Sequence, residues 1–161
     1  MPEATDSMMA AHASTDLARL WDTVVGGDLA FVMARANAIS VGSANAALAT
    51  HGLKVRSYSV LALAAAGTRP TQKELSEFLK LDPSQIVSLI DQLETRELVR
   101  REPNPSDRRV NVVVVTEAGR ALYEQAREAT QVAERSAFAA LSADDLTTLA
   151  SLVRTIANST D

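Results

Sequence analysis

The chain has 161 residues, a formal net charge of −4 and 47% hydrophobic residues, which suits one ordinary domain with appended helices. It contains no cysteine, so disulfides and thiolate metal sites are excluded. With His12 and His51 as its two histidines, a metal site would need help from carboxylates, and we expect neither a metal nor a cofactor. No apolar run approaches the roughly 20 residues of a membrane span and no signal peptide is recognisable, so we expect a cytoplasmic protein.

The charge is distributed unevenly along the chain. Residues 51–109 carry ten Lys and Arg against eight acids, whereas residues 1–50 carry two against five and residues 110–161 four against seven. A basic middle between acidic flanks is typical of a segment that contacts nucleic acid. The excess is small, however, and an ordinary mixed surface would also fit it.

The N-terminal part of the chain predicts a tail and then helices. Residues 1–13 are polar and alanine-rich without a periodic pattern, and we expect them to be disordered. Ser14 or Thr15 is a candidate N-cap for a short helix. Asp28 is the candidate N-cap of a long helix with apolar residues at helical spacing, and Gly52 suits the left-handed residue that follows its end.

Two short helices with clear start signals follow the apolar segment 57–66. Thr71 and Glu74 form a capping box at the start of the first. Asp82 and Pro83 suit the N-cap and first position of the second. The inward face of the first helix is expected to comprise Leu75, Phe78 and Leu79. Two short helices joined by a tight turn are typical of a helix-turn-helix motif.

The second of these helices has an apolar stripe and a polar face. The stripe comprises Ile86, Leu89, Ile90 and Leu93. In a helix-turn-helix, the second helix lies in the major groove, where hydroxyl and amide groups can read base edges. A solvated helix face would give the same pattern. The candidate DNA contacts on the polar face are Ser84, Gln85, Ser88 and Gln92.

A turn-rich segment with two arginines then separates two predicted strands. Residues 98–101 and 110–115 supply the strands, and the second is strongly β-branched. Pro103, Asn104 and their neighbours predict the turn, which places Arg108 and Arg109 near its tip. A helix-turn-helix followed by a hairpin is a winged helix, usually a binder of double-stranded DNA. The predicted fold class is therefore mainly α with a small β hairpin (α+β).

Long amphipathic helices are predicted on both sides of this core. Thr116 and Ser142 are the candidate caps of the last two, and the apolar face of the final helix comprises Leu146, Leu149, Leu152, Val153 and Ile156. A core of this size cannot bury so much apolar surface, so we expect a homodimer, with a monomeric helical subdomain as the alternative. The predicted organisation is therefore dimerisation helices at 14–55 and 117–161 around a winged helix at 56–116.

The order of these motifs resembles the MarR family of bacterial transcriptional regulators. The most specific part is Asp107-Arg-Arg109 followed by Thr116 and Gly119, which is similar to the wing signature of that family. The resemblance implies a homodimer on a pseudo-palindromic operator, with the helix in the major groove and a wing arginine in the minor groove. Arg109 matches the signature arginine, Arg108 is its neighbour, and Asp107 is expected to hold the wing arginine in position.

Two features depart from the family pattern. Glu97 stands where many members have glycine, so the turn either avoids positive φ or strains this residue. Ser88 and Gln92 are uncharged where members often have Arg or Lys. The attraction to DNA phosphates should therefore depend more on the wing. Arg96, like Arg100 and Arg101, is a candidate phosphate contact or wing support, and a solvated side chain is equally compatible with the sequence.

The resemblance further implies a repressor released by a small aromatic or phenolic ligand, bound between the dimerisation helices and the winged helix. The candidate ligand-binding residues are Trp21, Met33, His51, Arg56 and Tyr58. Simpler roles are core packing for Trp21 and Met33, a helix end for His51 and a phosphate contact for Arg56. The alternative function is a winged-helix module for DNA or protein without an effector. No nucleophile motif or phosphate loop supports an enzyme.

Overall fold

The computed structural model describes residues 18–159, which form a mainly helical fold with one antiparallel hairpin. A helical turn at residues 18–21 and a short 3-10 helix, Val24–Gly27, come first. The predicted fold class, including the winged helix-turn-helix core, is confirmed. The remaining elements are α1 (Leu29–Ala49), α2 (Val55–Ala65), α3 (Gln72–Leu79), α4 (Pro83–Thr95), β1 (Val99–Pro103), β2 (Asn111–Val115), α5 (Glu117–Ala137) and α6 (Ala143–Asn158).

Two compact units can be distinguished, 18–40 and 41–159, with the boundary inside α1. In the first unit, Asp28 caps α1 as the sequence predicts. Its Oδ1 accepts from the backbone N–H groups of Ala30 at 2.9 Å and Phe31 at 3.3 Å. The expected disorder of residues 1–13 and the candidate caps at Ser14 and Thr15 lie outside the described residues. The domain boundaries at residues 55 and 116 remain predictions.

The second unit contains the hydrophobic core that positions the winged helix. The chain turns out of α1 at Gly52, whose φ of 62° lies in the left-handed region that favours glycine. The N–H of Leu53 then donates to the carbonyl of Leu48 at 3.1 Å, which directs Leu53 into the core. The largest fully buried side chains are Leu48, Val60, Leu61, Leu75, Ile86, Ile90, Leu93 and Val113.

The helix-turn-helix is formed by α3 and α4, and both predicted caps are present. The Thr71 N–H donates to Glu74 Oε2 at 2.7 Å, and the Glu74 N–H donates back to Thr71 Oγ1 at 3.2 Å. The Thr71 hydroxyl also donates to Glu74 Oε2, at 2.8 Å. The two bonds that this carboxylate accepts from Thr71, the backbone one first, lower the pKa of Glu74. Asp82 Oδ1 accepts from the Ser84 N–H at 2.8 Å. Both helices therefore begin directly after the capping residues that the sequence predicts.

The prediction that Phe78 faces inward is wrong. Its surface is 73% exposed, whereas Leu75 is buried and Leu79 packs against the core. The helix has only eight residues, and Leu75 and Leu79, four residues apart, already fill its narrow inward stripe. Apolar character alone therefore misassigned this side chain.

The hairpin forms in the predicted place, with Val99 opposite Val115 and Pro103 opposite Asn111. Its tip is closed by the Asn104 N–H, which donates to the Val110 carbonyl at 2.8 Å. On its inner side β2 also pairs with the segment before α3, since the Val113 N–H donates to the Pro70 carbonyl at 2.8 Å. The base of the wing is thus anchored to the helix-turn-helix by backbone bonds.

Thr116 and Gly119 join the hairpin to α5. Thr116 Oγ1 donates to the Glu97 carbonyl at 2.7 Å and accepts from the Gly119 N–H at 2.9 Å. A Cβ at position 119 would collide with the backbone carbonyl of Leu98. Glycine is needed here because the start of α5 lies directly against the turn before the wing.

The last two helices differ in how much apolar surface they bury. Helix α5 packs on α2, where Tyr58 and Tyr123 stack with ring centroids 6.0 Å apart. Helix α6 begins at the predicted cap, Ser142, whose Oγ accepts from the Asp145 N–H at 3.1 Å. None of the 16 residues of α6 is buried.

Within residues 18–159, no helix is long and apolar enough to cross a membrane.

Candidate nucleic-acid interface

The polar face of α4 is exposed at every candidate base contact, namely Ser84, Gln85, Ser88 and Gln92. Ser84 Oγ donates its proton to Asp82 Oδ1 at 2.6 Å, so this hydroxyl can only accept from a ligand. Ser88 Oγ accepts from Gln92 Nε2 at 3.1 Å and keeps its own proton to donate. The side-chain amide of Gln85 has no hydrogen bond to other described residues, so both its oxygen and its NH2 group can pair with a base edge.

The wing presents an arginine held by a neighbouring carboxylate. Arg109 Nε and Nη2 donate to the two carboxylate oxygens of Asp107, each at 3.0 Å. The Arg109 N–H donates to the same carboxylate at 3.1 Å. These bonds, the side-chain ones first, lower the pKa of Asp107, and the pair raises the pKa of Arg109. The Arg109 side chain remains 89% exposed, so it is oriented yet accessible. Arg108 beside it is also exposed.

Arg101 connects the wing to α4, the second helix of the helix-turn-helix and hereafter the recognition helix. Its Nη2 donates to Asp91 Oδ1 at 2.7 Å, its Nη1 pairs with Glu94, and its Nε donates to Gln72 Oε1 at 2.8 Å. The Arg101 N–H also donates to Glu94 Oε1 at 2.7 Å. The side chain is only 22% exposed. Of the roles the sequence left open, this geometry is that of a wing support, and the three partners were not identified from the sequence.

A second ion-pair cluster lies on the other side of β1. Glu102 accepts from Arg100 Nε at 2.6 Å and from Arg69 Nη2 at 2.7 Å. The two guanidinium groups, that of Arg100 first, lower the pKa of Glu102. The cluster keeps two exposed cations at the base of the wing. Arg69 was missed from the sequence because its partner is far along the chain.

Arg96 makes contacts with the end of α1. Its Nη1 donates to the Gly52 carbonyl at 2.7 Å, and its Nη2 donates to the His51 carbonyl at 2.9 Å. A cation at the carbonyl end of a helix is favourable because that end carries partial negative charge. The residue is nevertheless exposed. A DNA contact by Arg96 stays a prediction, and it would have to use the guanidinium N–H groups that these two bonds leave free.

The candidate ligand-binding residues fall in both units. Trp21 lines an apolar cavity of about 250 Å³ in the first unit, together with Leu20, Thr23, Val25, Phe31 and Arg35. The Arg35 guanidinium lies 5.5 Å from the centre of the Trp21 ring, and the Phe31 ring meets that ring edge-on at 6.4 Å. Phe31 and Arg35 were missed from the sequence. Met33, on α1, is partly exposed.

The other three candidates lie in the second unit. His51 is half-buried at the end of α1, where its carbonyl accepts from Arg96. The ring of Tyr58 stacks on the ring of Tyr123. Arg56 is exposed in a surface cleft of about 350 Å³ that it shares with Ser84, Gln85, Ser88 and Leu89. The structure therefore brings Arg56 beside the recognition face of α4.

A helix-turn-helix with a polar recognition face, followed by a wing that presents a held arginine, defines the class of winged helix-turn-helix proteins. The MarR family model matches residues 53–110. The chain is also similar to a MarR-family transcriptional regulator from Rhodococcus sp. RHA1, with 35% sequence identity and a TM-score of 0.77. The similarity covers 84% of this chain and 97% of that one. The chain belongs to the MarR family.

Three further proteins show what similar chains bind or are named for. CouR from Rhodococcus jostii RHA1, solved with p-coumaroyl-CoA, is 35% identical with a TM-score of 0.77, covering 86% of this chain and 98% of that one. A mutant MarR from E. coli, solved with operator DNA, is 26% identical with a TM-score of 0.72, covering 80% and 92%. The match to the transcriptional repressor NicR of Pseudomonas putida, 39% identical over 54 residues, spans 34% of each chain.

Proposed function

We propose that this chain is a homodimeric, sequence-specific regulator of transcription that binds double-stranded DNA and is released by a small aromatic ligand. The observation that carries the proposal is the exposed polar face of α4 beside a wing whose Arg109 is held by Asp107. The similarity to a MarR protein solved with operator DNA supports the DNA partner. The name of NicR supports repression as the mode of action.

Each subunit would insert the first turns of α4 into a major groove. The Ser84 hydroxyl can accept a hydrogen bond, the Ser88 hydroxyl can donate one and the Gln85 amide can do both. Together they could pair with both donors and acceptors on base edges. Arg109 would enter the adjacent minor groove, where a narrow A·T-rich tract has enhanced negative potential. Asp107 would not touch DNA, since its carboxylate is neutralised by the arginine it orients.

The exposed apolar face of α6 supports dimerisation through a second copy of the chain. Leu149, Leu152, Val153 and Ile156 follow one another at helical spacing and are all exposed within the described residues. A contiguous apolar stripe of this length is rarely left to water by a monomer. A twofold-symmetric partner would bury the same stripe on both copies and would set the two α4 helices against two half-sites.

The cavity around Trp21 supports an aromatic effector. Its walls are apolar and aromatic, and Arg35 supplies one cation at its edge, so an aromatic acid would find both stacking surfaces and a charge partner. Met33, in the same unit, remains a candidate contact, whereas His51 and Tyr58 belong to the second unit and their ligand contacts stay predictions from the sequence. The similarity to CouR solved with p-coumaroyl-CoA supports a ligand of aromatic character.

The test is selection of bound duplexes from a random DNA pool, repeated with a panel of aromatic acids and their acyl-CoA esters. We expect a sequence with two inverted half-sites, and at least one compound that lowers its recovery. Failure to enrich any sequence would overturn the proposal. Enrichment that no acid or acyl-CoA changes would instead identify a winged-helix module without an effector.

A further inference from the structure

We infer that Arg56, at the start of α2, contacts a DNA phosphate at the edge of the groove that α4 enters. This inference rests on the proposed DNA binding and adds a contact from outside the helix-turn-helix and the wing. Arg56 is exposed and shares a cleft of about 350 Å³ with Ser84, Gln85 and Ser88. Those three residues are the proposed base contacts in the first turns of α4. DNA bound there would therefore bring its phosphate backbone close to Arg56.

Arg56 differs from most arginines of the winged helix because its charge is not used within the chain. Residues 51–109 contain seven arginines. Among the described residues, Arg56 and Arg108 have neither a carboxylate nor a backbone carbonyl as partner. The others are paired as follows: Arg69 and Arg100 with Glu102, Arg96 with the His51 and Gly52 carbonyls, Arg101 with Asp91 and Glu94, and Arg109 with Asp107.

The composition of α4 leaves the attraction of phosphates to cations outside this helix. Helix α4 contains Asp91 and Glu94 and no Lys or Arg. Arg101 neutralises only part of this negative charge. The side chains of α4 therefore add no cation for phosphate attraction, which supplies much of the affinity of DNA-binding proteins. Arg56 brings a positive charge to the flank of α4 from a neighbouring helix.

The lining of the cleft favours a phosphate over an aromatic effector. Two hydroxyls and an amide lie beside the guanidinium. Among the described residues that line the cleft, Leu89 is the one apolar side chain and none is aromatic. Such a surface offers hydrogen bonds and charge but no stacking platform. The aromatic cavity of the first unit, by contrast, has its own arginine, Arg35.

The experiment compares Arg56→Ala with Arg127→Ala, a matched loss of one charge on α5, where Arg127 is exposed and paired with Glu124. Binding of the full chain to the selected operator and to a random duplex is measured over a series of salt concentrations. For Arg56→Ala we expect affinity for both duplexes to fall by a similar factor, on the order of tenfold at low salt, and the salt slope to fall by about one per subunit. Arg127→Ala should leave both unchanged, and Arg56→Lys should retain the slope.

An Arg56→Ala chain with an unchanged salt slope would overturn this inference while leaving the proposed function intact. So would normal DNA binding combined with loss of response to an aromatic acid, which would assign Arg56 to the effector. An unmodified chain that binds neither duplex would overturn the proposed function itself. Because Arg56 is exposed, thermal unfolding of the variant should match that of the unmodified chain.

Discussion

The guanidinium of Arg101 on β1 donates to the carboxylate of Asp91 on α4 across 2.7 Å, joining the wing to the recognition helix. The same side chain pairs with Glu94 and donates to Gln72. A planar guanidinium with several fixed partners restrains both distance and angle more tightly than a single bond would. The two elements proposed to enter adjacent grooves are therefore held in a fixed relation by one side chain.

Replacing Arg101 by Ala should destabilise the fold and weaken DNA binding together. The change leaves Asp91 and Glu94 without their cation, and we expect a loss of roughly 1–2 kcal/mol in the free energy of unfolding, moderated by the partial exposure of the cluster. Chemical denaturation and operator affinity measure the two effects. The control is Arg100→Ala, which removes the exposed neighbour on the same strand and should alter stability little. Equal effects of the two substitutions on stability would contradict the cross-link.

Arg109→Ala should weaken operator binding without affecting the fold. The Arg109 side chain is 89% exposed and its partner Asp107 is solvated, so the free energy of unfolding should be unchanged. Loss of a minor-groove arginine should lower operator affinity by roughly tenfold or more. Fluorescence anisotropy with a labelled operator measures this change. Asp107→Asn keeps the cation but loosens its orientation, and we expect a smaller loss. Full affinity in Arg109→Ala would rule out the wing contact.

Gln85→Ala should change which sequences are bound. The amide of Gln85 is the one group on the recognition face that makes no hydrogen bond within the described chain, so a base contact would be its main role. We expect discrimination at one position of each half-site to fall by roughly 1–3 kcal/mol, read from repeated selection of bound DNA. Ser84→Ala serves as a comparison, because it also removes the bond to Asp82 and should lower stability. An unaltered preference in Gln85→Ala would remove this residue from the readout.

An aspartate at Leu149 or Leu152 should prevent dimerisation. Both side chains lie on the exposed apolar face of α6, and burying a carboxylate in such an interface is strongly unfavourable. Light scattering after size exclusion should report monomers or aggregates. Ser151→Asp adds the same charge on the opposite side of the helix and should leave the dimer intact. Dimers in all three variants would place the interface elsewhere.

Glu97→Gly should stabilise the protein. Glu97 has a φ of 56° in the turn after α4, where the N–H of Leu98 donates to the Leu93 carbonyl at 2.9 Å. A left-handed conformation costs a residue with a Cβ about 1 kcal/mol, so glycine should raise the free energy of unfolding by a similar amount. Denaturant titration measures this gain. A loss of stability would mean that the Glu97 side chain contributes more than the strain it bears.

The starts of the helices and the course of their apolar stripes could be predicted from local sequence. Asp28, Thr71, Asp82 and Thr116 were identified as caps because a cap binds N–H groups two or three residues further along. The stripe of α4 follows in the same way from helical spacing alone, and the wing from its turn residues. These features depend on neighbours within one helical turn, which a sequence displays directly.

Only the tertiary structure shows which polar side chains support the fold and which remain accessible. Arg96 bonds to a carbonyl 44 residues away and Arg101 to a side chain 29 residues away. Arg56 lies near Ser84 and has no such partner between residues 18 and 159. All three look alike in sequence. Phe78 likewise stayed outside because Leu75 and Leu79 had already filled the inward stripe. Long-range pairing depends on how helices and strands are brought together, and periodicity along one element carries no record of it.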